Sequence, residues 1–592
     1  VRHRQDKASA RVARSAAPVS AWRRVAVLSA LLLGAFGVLG RAFQLQVIDQ
    51  DFLAAEGSKR FIRKLGIPAH RGAILDRRGE PLALSAPVES LWAVPQDLLD
   101  SPKHVEAVAQ LLGRRPDEFR SYLKARADRK FVYISDPLSP TEAKRVLSLG
   151  APGVFSDPSY ARYYPAGEVA GQLVGFCGRD TTGLEGIEKA QESVLRGSPG
   201  ARRVIRDRAG HVVEDNLEYV PAQSGQDVQL TIDLRIQYLA YRELKNAVAQ
   251  HNARGGMIVI ADAGTGEVLA IASQPGFNPN NPAERRPPGT RNRVITDSLE
   301  PGSTAKPLLV AQALELGLFR PSSTVDTGPG WFKVGALTVH DVHPGGVMDL
   351  ATILAKSSNV GAAKIGLTLG PQAVWSGFQR FGINEPVYTG FPGEVGSVLR
   401  NYSSWGEIAT ATASYGYGWS VSALHLLRAY AALANDGLMP QIRLIKNGRS
   451  VPPQRAISAN TAREVRHMME NVVAPGGSAL KASIQGYKVA GKTGTTRKLA
   501  EGGGYDGNRH EALFVGMVPA ERPRLVGLVI IDDPSEGAYY GGLVAAPVFS
   551  SVMQGAARLL QISPDGTQMP EDAAPSTTAR APLLLDSKGP KT

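Results

Sequence analysis

Ser303 and Lys306 stand three residues apart in "EPGSTAKP", residues 300–307, directly after a Pro-Gly break. On a helix, residues i and i+3 share a face, so the hydroxyl and the amine can meet. A lysine with a depressed pKa could take the hydroxyl proton and leave a nucleophilic oxygen. The positive end of the helix would favour the charge developing there. A serine at a helix start also fits plain N-capping, with no chemistry attached. A second stretch, "KSSNVG" (356–361), holds Ser357 and Asn359. A hydroxyl and an amide two residues apart can shuttle a proton and donate to a substrate carbonyl. The same residues also fit a capped turn. A third stretch, "GKTGT" (491–495), closes a strand-like run. There Thr493 and Thr495 alternate to one side, Lys492 adds positive charge, and Gly494 lets another backbone approach. Such an edge suits an extended peptide with a free carboxylate, and a plain Gly-bearing edge strand has the same sequence.

The elements that must hold these residues are legible as patterns. "DVQLTIDLRIQYLAYREL" predicts a strand running into an amphipathic helix. "GGMIVIADAGTGEVLAIAS" predicts two strands around Ala-Gly-Thr-Gly. Three more strand-like runs, 487–495, 511–520 and 524–534, come late in the chain. Helical stretches lie between the two sets, among them "KPLLVAQALELGLF" and "SALHLLRAYAALANDG", and "APVFSSVMQGAARLLQI" predicts a final helix. Strands at both ends with helices between them predict one sheet closed by distant segments, in one large α/β domain over 226–562.

At 592 residues the chain exceeds one compact core, and 43% hydrophobic with 20% charged residues describes a folded protein. The net charge of +13 is partly N-terminal, and the rest is spread without basic runs, so no nucleic-acid partner is expected. Cys177 is the only cysteine, which excludes an intrachain disulfide and a cysteine metal cluster. No metal and no cofactor are expected. "VAVLSALLLGAFGVLG" (25–40) carries no charge, and extension to Leu45 reaches the span that a bilayer core of about 30 Å requires. The basic residues precede it, so 1–24 is expected in the cytoplasm and the bulk outside. No small-x-small cleavage site follows, so an uncleaved anchor is expected rather than a signal peptide. Residues 46–225 form a non-catalytic module in which "RGAILDRRGEPLA" (71–83) and "GLEGIE" (183–188) offer structural salt links. The tail 563–592 is rich in Pro, Ala, Ser and Thr and is expected to be disordered.

Ser-x-x-Lys, Ser-x-Asn and Lys-Thr-Gly in this order are the motif set of penicillin-binding proteins and class A β-lactamases. The sequence resembles the class B penicillin-binding proteins over nearly its whole length. "RGAILDRRGEPLA", "GLEGIE", "LTIDLRIQ", "RNRVITDSLEPGSTAKP", "KSSNVG", "SYGYGWSVSALHLLRAYAALANDG" and "VAGKTGT" all look like blocks of that family. The anchor followed by "LQVI" and the "RGAILDRRG" pattern look most like its division-specific, FtsI-type branch.

The resemblance implies an α+β serine-transpeptidase fold, with an antiparallel sheet between helices, an elongated N-terminal module and one transmembrane helix. It implies Ser303 as the acylated nucleophile and Lys306 as its base. Ser357 and Asn359 would relay protons and hold the substrate amide. Lys492, Thr493 and Thr495 would bind a terminal carboxylate, with Gly494 between them, and the amides of Ser303 and Thr495 would form the oxyanion hole. It implies stem peptides ending in D-Ala-D-Ala as substrate, β-lactams as inhibitors, and an FtsW-type glycosyltransferase with other division proteins as partners. Ala305, Ser358, His425 and "APGGSALKA" depart from the usual family pattern, and none of the departures removes a reactive group. Class A β-lactamases deacylate with a Glu between the first two motifs. Here the only Glu between Lys306 and Ser357 is Glu315, two turns along the helix, so transfer to an amine is expected rather than hydrolysis. An elongation-specific relative, a β-lactam sensor and a non-catalytic scaffold are the competing readings. A reporter fused near residue 10 is expected to read cytoplasmic and one near residue 590 periplasmic. A mature N-terminus near residue 45 would show a cleaved signal instead.

Overall fold

The computed structural model describes residues 21–50, 62–178, 180–206, 212–446, 448, 451–499 and 503–565. Most of the basic segment 1–24, and the tail beyond 565, lie outside the described residues. The chain divides into two compact units, residues 1–68 with 199–222, and residues 69–198 with 223–592.

The first unit holds a helix, Ala21–Phe43, which continues as a π-helical turn over Gln44–Ile48. This is, among the described residues, the one helix long and apolar enough to cross a membrane, with a mean hydropathy of 2.0. With that turn it covers the predicted span 25–45, and none of its residues is buried. The same unit holds an antiparallel sheet of Ile62–Ile67, Gly200–Arg206 and Val212–Val220.

In the second unit, β1 (Pro81–Ala93) pairs antiparallel with β2 (Val154–Tyr163). Four short helices between them each begin with proline, whose fixed φ and missing N–H suit a first helical position. The two sequence blocks noted above meet here. The Arg71 guanidinium donates to Glu188 Oε2 and to Glu192 Oε2, both at 2.7 Å, and Arg162 Nε reaches Glu188 Oε1 at 2.6 Å. Arg71 is 1% exposed and Glu188 is fully buried, so losing one partner would strand a charge, at a cost of about 3–5 kcal/mol.

The main sheet is built from β3 (Gly255–Asp262), β4 (Val268–Gln274), β5 (Ala490–Leu499), β6 (Tyr505–Val518) and β7 (Leu525–Asp532). Its spatial order is β4-β3-β7-β6-β5, every pair antiparallel, so the two strand sets separated by more than two hundred residues share one sheet. β7 lies at the centre with all eight residues buried, which explains its unbroken apolar run. α1 (Leu234–Gln250) starts at Asp233, whose carboxylate accepts from the Arg235 N–H, and turns Ile236, Ala240 and Leu244 inward. It packs on β3 and β4 beside α7 (Gly541–Leu559), while the helix Ala423–Ala434 packs against β3, β6 and β7. The strand predicted before α1 is only Val228–Gln229. Beyond it the backbone continues in isolated pairings rather than a full strand: the Leu230 N–H donates to the Leu75 carbonyl, the Thr231 N–H donates to the Leu444 carbonyl, and the Thr231 hydroxyl donates to the carbonyls of Val268 and Arg443. The predicted run 487–495 becomes a strand only at Ala490, because Tyr487 closes a turn on Ile484.

His425, on the helix Ala423–Ala434, is fully buried. Its Nδ1 accepts from the Ser422 hydroxyl at 2.7 Å, and its Nε2 donates to the Glu385 carbonyl at 3.1 Å. Burial, with Arg428 nearby, pushes its pKa down to about 4, so the native state holds it neutral. The unfolded chain binds a proton there near pH 6.5 and the folded chain does not, so this contribution to stability is lost as pH falls from 6.5 toward 4. Between pH 7 and pH 5, urea unfolding of the full chain in detergent should show the wild type losing about 2 kcal/mol more than His425→Gln. Equal losses would refute the assignment.

Candidate active site

Ser303 lies in a 3-10 turn, Gly302–Ala305, that runs directly into α2 (Lys306–Glu315). It is half-buried, and neither the turn nor α2 has a side-chain cap, which removes the N-capping reading. Gly416 makes the approach behind it possible. A Cβ there would stand 1.9 Å from the Gly302 carbonyl oxygen, and φ is +91°.

Lys306 is fully buried one turn on. Its Nζ donates to the Ser357 carbonyl at 2.5 Å and to Asn359 Oδ1 at 2.8 Å, and stands 3.4 Å from Ser357 Oγ. Among the described residues no hydrogen bond joins it to Ser303; its partners come from the second motif. Burial pushes its pKa down to about 7, against a smaller upward pull from Asp341. Lys492, also fully buried, reaches the same Ser357 hydroxyl at 2.9 Å and the Thr493 carbonyl at 3.1 Å. Burial and the charge of Lys306 push it well below the ordinary lysine range. Two buried amines on one hydroxyl do not both stay charged.

The second motif is a corner between two helices. α3 (Leu350–Lys356) ends at Ser357, which adopts a left-handed conformation with φ 60°. That conformation is uncommon outside glycine, and here it turns both the carbonyl and the hydroxyl of Ser357 toward the lysines. α4 (Asn359–Leu369) starts immediately, capped by Ser358, whose Oγ accepts from the Gly361 N–H at 2.9 Å.

Asp341, which motif reading missed, holds this corner. Its carboxylate accepts from the Asn359 N–H at 2.5 Å, the Val360 N–H at 2.9 Å and the Ser358 hydroxyl at 2.6 Å. It is an anion at the N-terminus of α4, where the helix dipole favours it. The adjacent His340 carbonyl accepts from Asn359 Nδ2 at 3.0 Å, which turns Oδ1 toward Lys306. No local pattern marks an aspartate whose partners come eighteen residues later.

The third motif lies on β5, the free edge of the sheet. Thr493 Oγ1 is 3.0 Å from Ser478 Oγ, in the "APGGSALKA" segment, and Thr495 Oγ1 accepts from the Gly541 N–H at 3.2 Å. The Thr495 carbonyl meets the Tyr417 hydroxyl at 3.5 Å, so this residue's peptide groups project from the open edge, its N–H with them. A Cβ at Gly494 would press Thr304 Cγ2 at 3.1 Å, so glycine lets β5 lie close to the Ser303 turn. Beneath, Thr496 packs on Gly302 and its hydroxyl meets Glu511 Oε2 at 3.4 Å. Burial and the charge of Asp532 push Glu511 up to about 7.

Glu315 faces away. Its carboxylate accepts from the Ser458 N–H at 3.0 Å and the Thr461 hydroxyl at 2.6 Å, at the start of the helix Ala459–Val473. His425 likewise serves the helix packing described above. Ser303, Lys306, Ser357, Asn359, Lys492, Thr493, Gly494 and Thr495 therefore come together at one end of α2 and one edge of the sheet.

An antiparallel sheet flanked by helices, with these three motifs converging, defines the transpeptidase class of penicillin-binding domains. The penicillin-binding protein transpeptidase domain matches residues 256–554, and the penicillin-binding protein dimerisation domain matches residues 66–230. The chain is 39% identical to the peptidoglycan D,D-transpeptidase FtsI of Escherichia coli K12 over 549 residues, 92% of this chain and 93% of that protein. It is also 39% identical to the probable peptidoglycan D,D-transpeptidase PbpC of Pseudomonas aeruginosa over 547 residues, 92% of this chain and 97% of that one. Among solved structures, the transpeptidase domain of Burkholderia pseudomallei penicillin-binding protein 3 is 40% identical. It covers 58% of this chain and 98% of its own, with a TM-score of 0.52. Mycobacterium tuberculosis penicillin-binding protein 3, complexed with aztreonam, is 26% identical with a TM-score of 0.66, over 84% of this chain and 98% of that one. The chain belongs to the class B penicillin-binding proteins, in the group of the FtsI and PenA peptidoglycan D,D-transpeptidases.

Asp341→Asn keeps the shape but leaves at least one of three donors facing an amide N–H₂. An unmet buried donor costs about 1–3 kcal/mol, so acylation by penicillin should slow about tenfold or more. Stopped-flow acylation of the full chain in detergent measures it, and a wild-type rate would show that Asp341 does not position the corner.

Proposed function

We propose that this chain is a membrane-anchored peptidoglycan D,D-transpeptidase that cross-links stem peptides during cell division, and that β-lactams acylate it. The observation that carries this is Lys306, fully buried, held by Ser357 and Asn359, one turn from a half-buried serine that caps nothing.

Ser303 Oγ attacks the carbonyl of the penultimate D-Ala, and its proton passes to the neutral Lys306 amine. The hydrogen bond between them forms as substrate binds, since catalytic contacts are commonly long or unmade in the apo state. The backbone N–H groups of Ser303 and Thr495 receive the oxyanion, where one donor is worth about 3 kcal/mol. Collapse breaks the peptide bond and expels the terminal D-Ala, whose amine takes a proton through Ser357, which bridges Lys306 and Lys492. An amine of a second stem peptide then attacks the acyl-enzyme and gives its proton to the same relay, and Ser303 is released. The departing residue's carboxylate lies against Thr493, Thr495 and Lys492 while it is bound. Its charge favours the proton on Lys492 and so keeps Lys306 neutral. The hydrogen bonds of Glu315 support transfer to an amine, because the only Glu between the first two motifs is committed to a helix cap. Likeness to FtsI over 92% of the chain supports division over elongation.

The basic N-terminal segment and the one helix among the described residues long and apolar enough to span support a cytoplasmic N-terminus with the catalytic domain across the inner membrane. A glycosyltransferase of the FtsW type would supply the glycan strands, and the module before the transpeptidase domain would dock it and other division proteins.

Ser303→Ala should abolish covalent labelling by fluorescent penicillin in a folded, membrane-bound protein; undiminished labelling would sink the nucleophile. Thr495→Val should slow acylation by roughly 10–100-fold, and Lys306→Ala should slow it further even at saturating drug. A wild-type rate in Thr495→Val would reject the carboxylate site. Depletion in the source organism should give filaments, whereas spheres would reassign the chain to elongation.

A further inference from the structure

Residues 94–153, between β1 and β2, contribute nothing to the site described above, yet they fold around a core of their own that includes Leu98, Val105, Phe119 and Val146. A continuous run of rings crosses one face of this module. Trp92 stacks on Phe155 at 4.5 Å and contacts Phe131 at 4.9 Å, and Phe131 meets Tyr133 at 4.9 Å with the planes at 80°. Phe131 is 44% exposed and Tyr133 is 53% exposed. The Tyr122 hydroxyl donates to the Tyr133 carbonyl at 2.9 Å. Arg126 and Arg114 lie over the Tyr122 ring at 4.0 and 5.0 Å from its centroid, which orders two long side chains in advance. The segment 113–130 carries seven Arg and Lys against three Asp and Glu. Two of its arginines, Arg115 and Arg120, are paired with Glu118 and Glu106, while Lys130 is exposed beside Phe131.

We infer that the face formed by Arg114, Tyr122, Arg126, Lys130, Phe131 and Tyr133 docks an acidic polypeptide segment of another protein, which packs an apolar side chain against Phe131 and Tyr133. Exposed aromatic residues beside ordered arginines are the composition of interface anchors. The charge selects the partner. A second copy of this chain would bring the same cationic surface to an isologous contact, with like charges opposed. The contact is made by side chains, because Tyr122 already occupies the Tyr133 carbonyl and closes that edge to strand addition. The two exposed rings meet at 80°, so they present no single flat platform of the kind a sugar ring stacks on. The proposal places part of the partner recognition invoked above on one face, and it does not depend on the acyl-enzyme chemistry.

The test uses the full chain in detergent and a random copolymer of glutamate and tyrosine as the probe, with binding read by fluorescence anisotropy. Phe131→Ala with Tyr133→Ala, which leaves the charge unchanged, should weaken binding at least tenfold. Arg126→Glu with Lys130→Glu should do the same. Arg463→Glu with Lys481→Glu, an equal charge change at exposed residues elsewhere, should leave affinity within about twofold. Penicillin labelling should be unchanged in every variant, which shows that each is folded. Equal loss in the distant charge variant, or no loss on removing the two rings, would overturn the proposal by reducing the binding to net charge. Soluble murein fragments that bind tighter than the copolymer and lose affinity in the same variants would overturn it in favour of a glycan face.

Discussion

A lysine amine sealed from water is the constraint on which the rest of this structure depends. Desolvation disfavours the ammonium form, and among the described residues no carboxylate contacts Lys306 directly. Its three contacts are a carbonyl, an amide oxygen and a hydroxyl, all from the corner at 357–359. They orient the amine without fixing its charge, so the proton can leave near neutral pH. A direct ion pair would have held the proton in place and removed the base. The nearest anion, Asp341, is kept one step away, spent on the N-terminus of α4 and on Ser358.

That arrangement asks for close approach from three directions. Ser357 holds a left-handed conformation so that its carbonyl and hydroxyl both face inward. Glycines at 416 and 494 let neighbouring segments reach the Ser303 turn. The sheet supplies the stiffness. β7 runs fully buried through its centre, and β5 at its edge is fixed by Gly541 at the start of α7 and by Thr496 beneath Gly302. At the other end of the second unit, the Asp76 carboxylate accepts from Leu234 N–H, and Arg71, Arg162 and Glu188 form a buried ionic knot. The Asp76 contact ties the segment before residue 200 to the start of the transpeptidase domain, and the ionic knot holds that segment together.

Much of this was legible in the sequence for physical reasons. The three motifs and the strands at both ends of the transpeptidase domain carry strong local patterns, and β3, β4, β6 and β7 lie where apolar runs announced them. Contacts between distant segments left no local mark. Asp341 acts on residues that follow it only after a strand and the helix Leu350–Lys356, and Ser478 meets Thr493 through a loop. The strand before α1 is shorter than its apolar pattern predicts, because its backbone is shared between short pairings with Ile74–Leu75 and with Ile445 rather than one continuous ladder. The spacing of Ser303 and Lys306 allows their side chains to meet. The spacing put them on one turn, while the hydrogen-bonding capacity of the lysine went to the second motif.

The central claim is that Lys306 is a neutral base near physiological pH, and the pH dependence of the second-order rate constant for acylation by penicillin tests it most directly. The rate should rise about tenfold per pH unit in acid and level off above about pH 7. The limb should stay in place in Glu511→Gln, which separates Lys306 from the other buried group that titrates in that range. A rate that keeps climbing toward pH 10, or one that does not change with pH, would contradict the account.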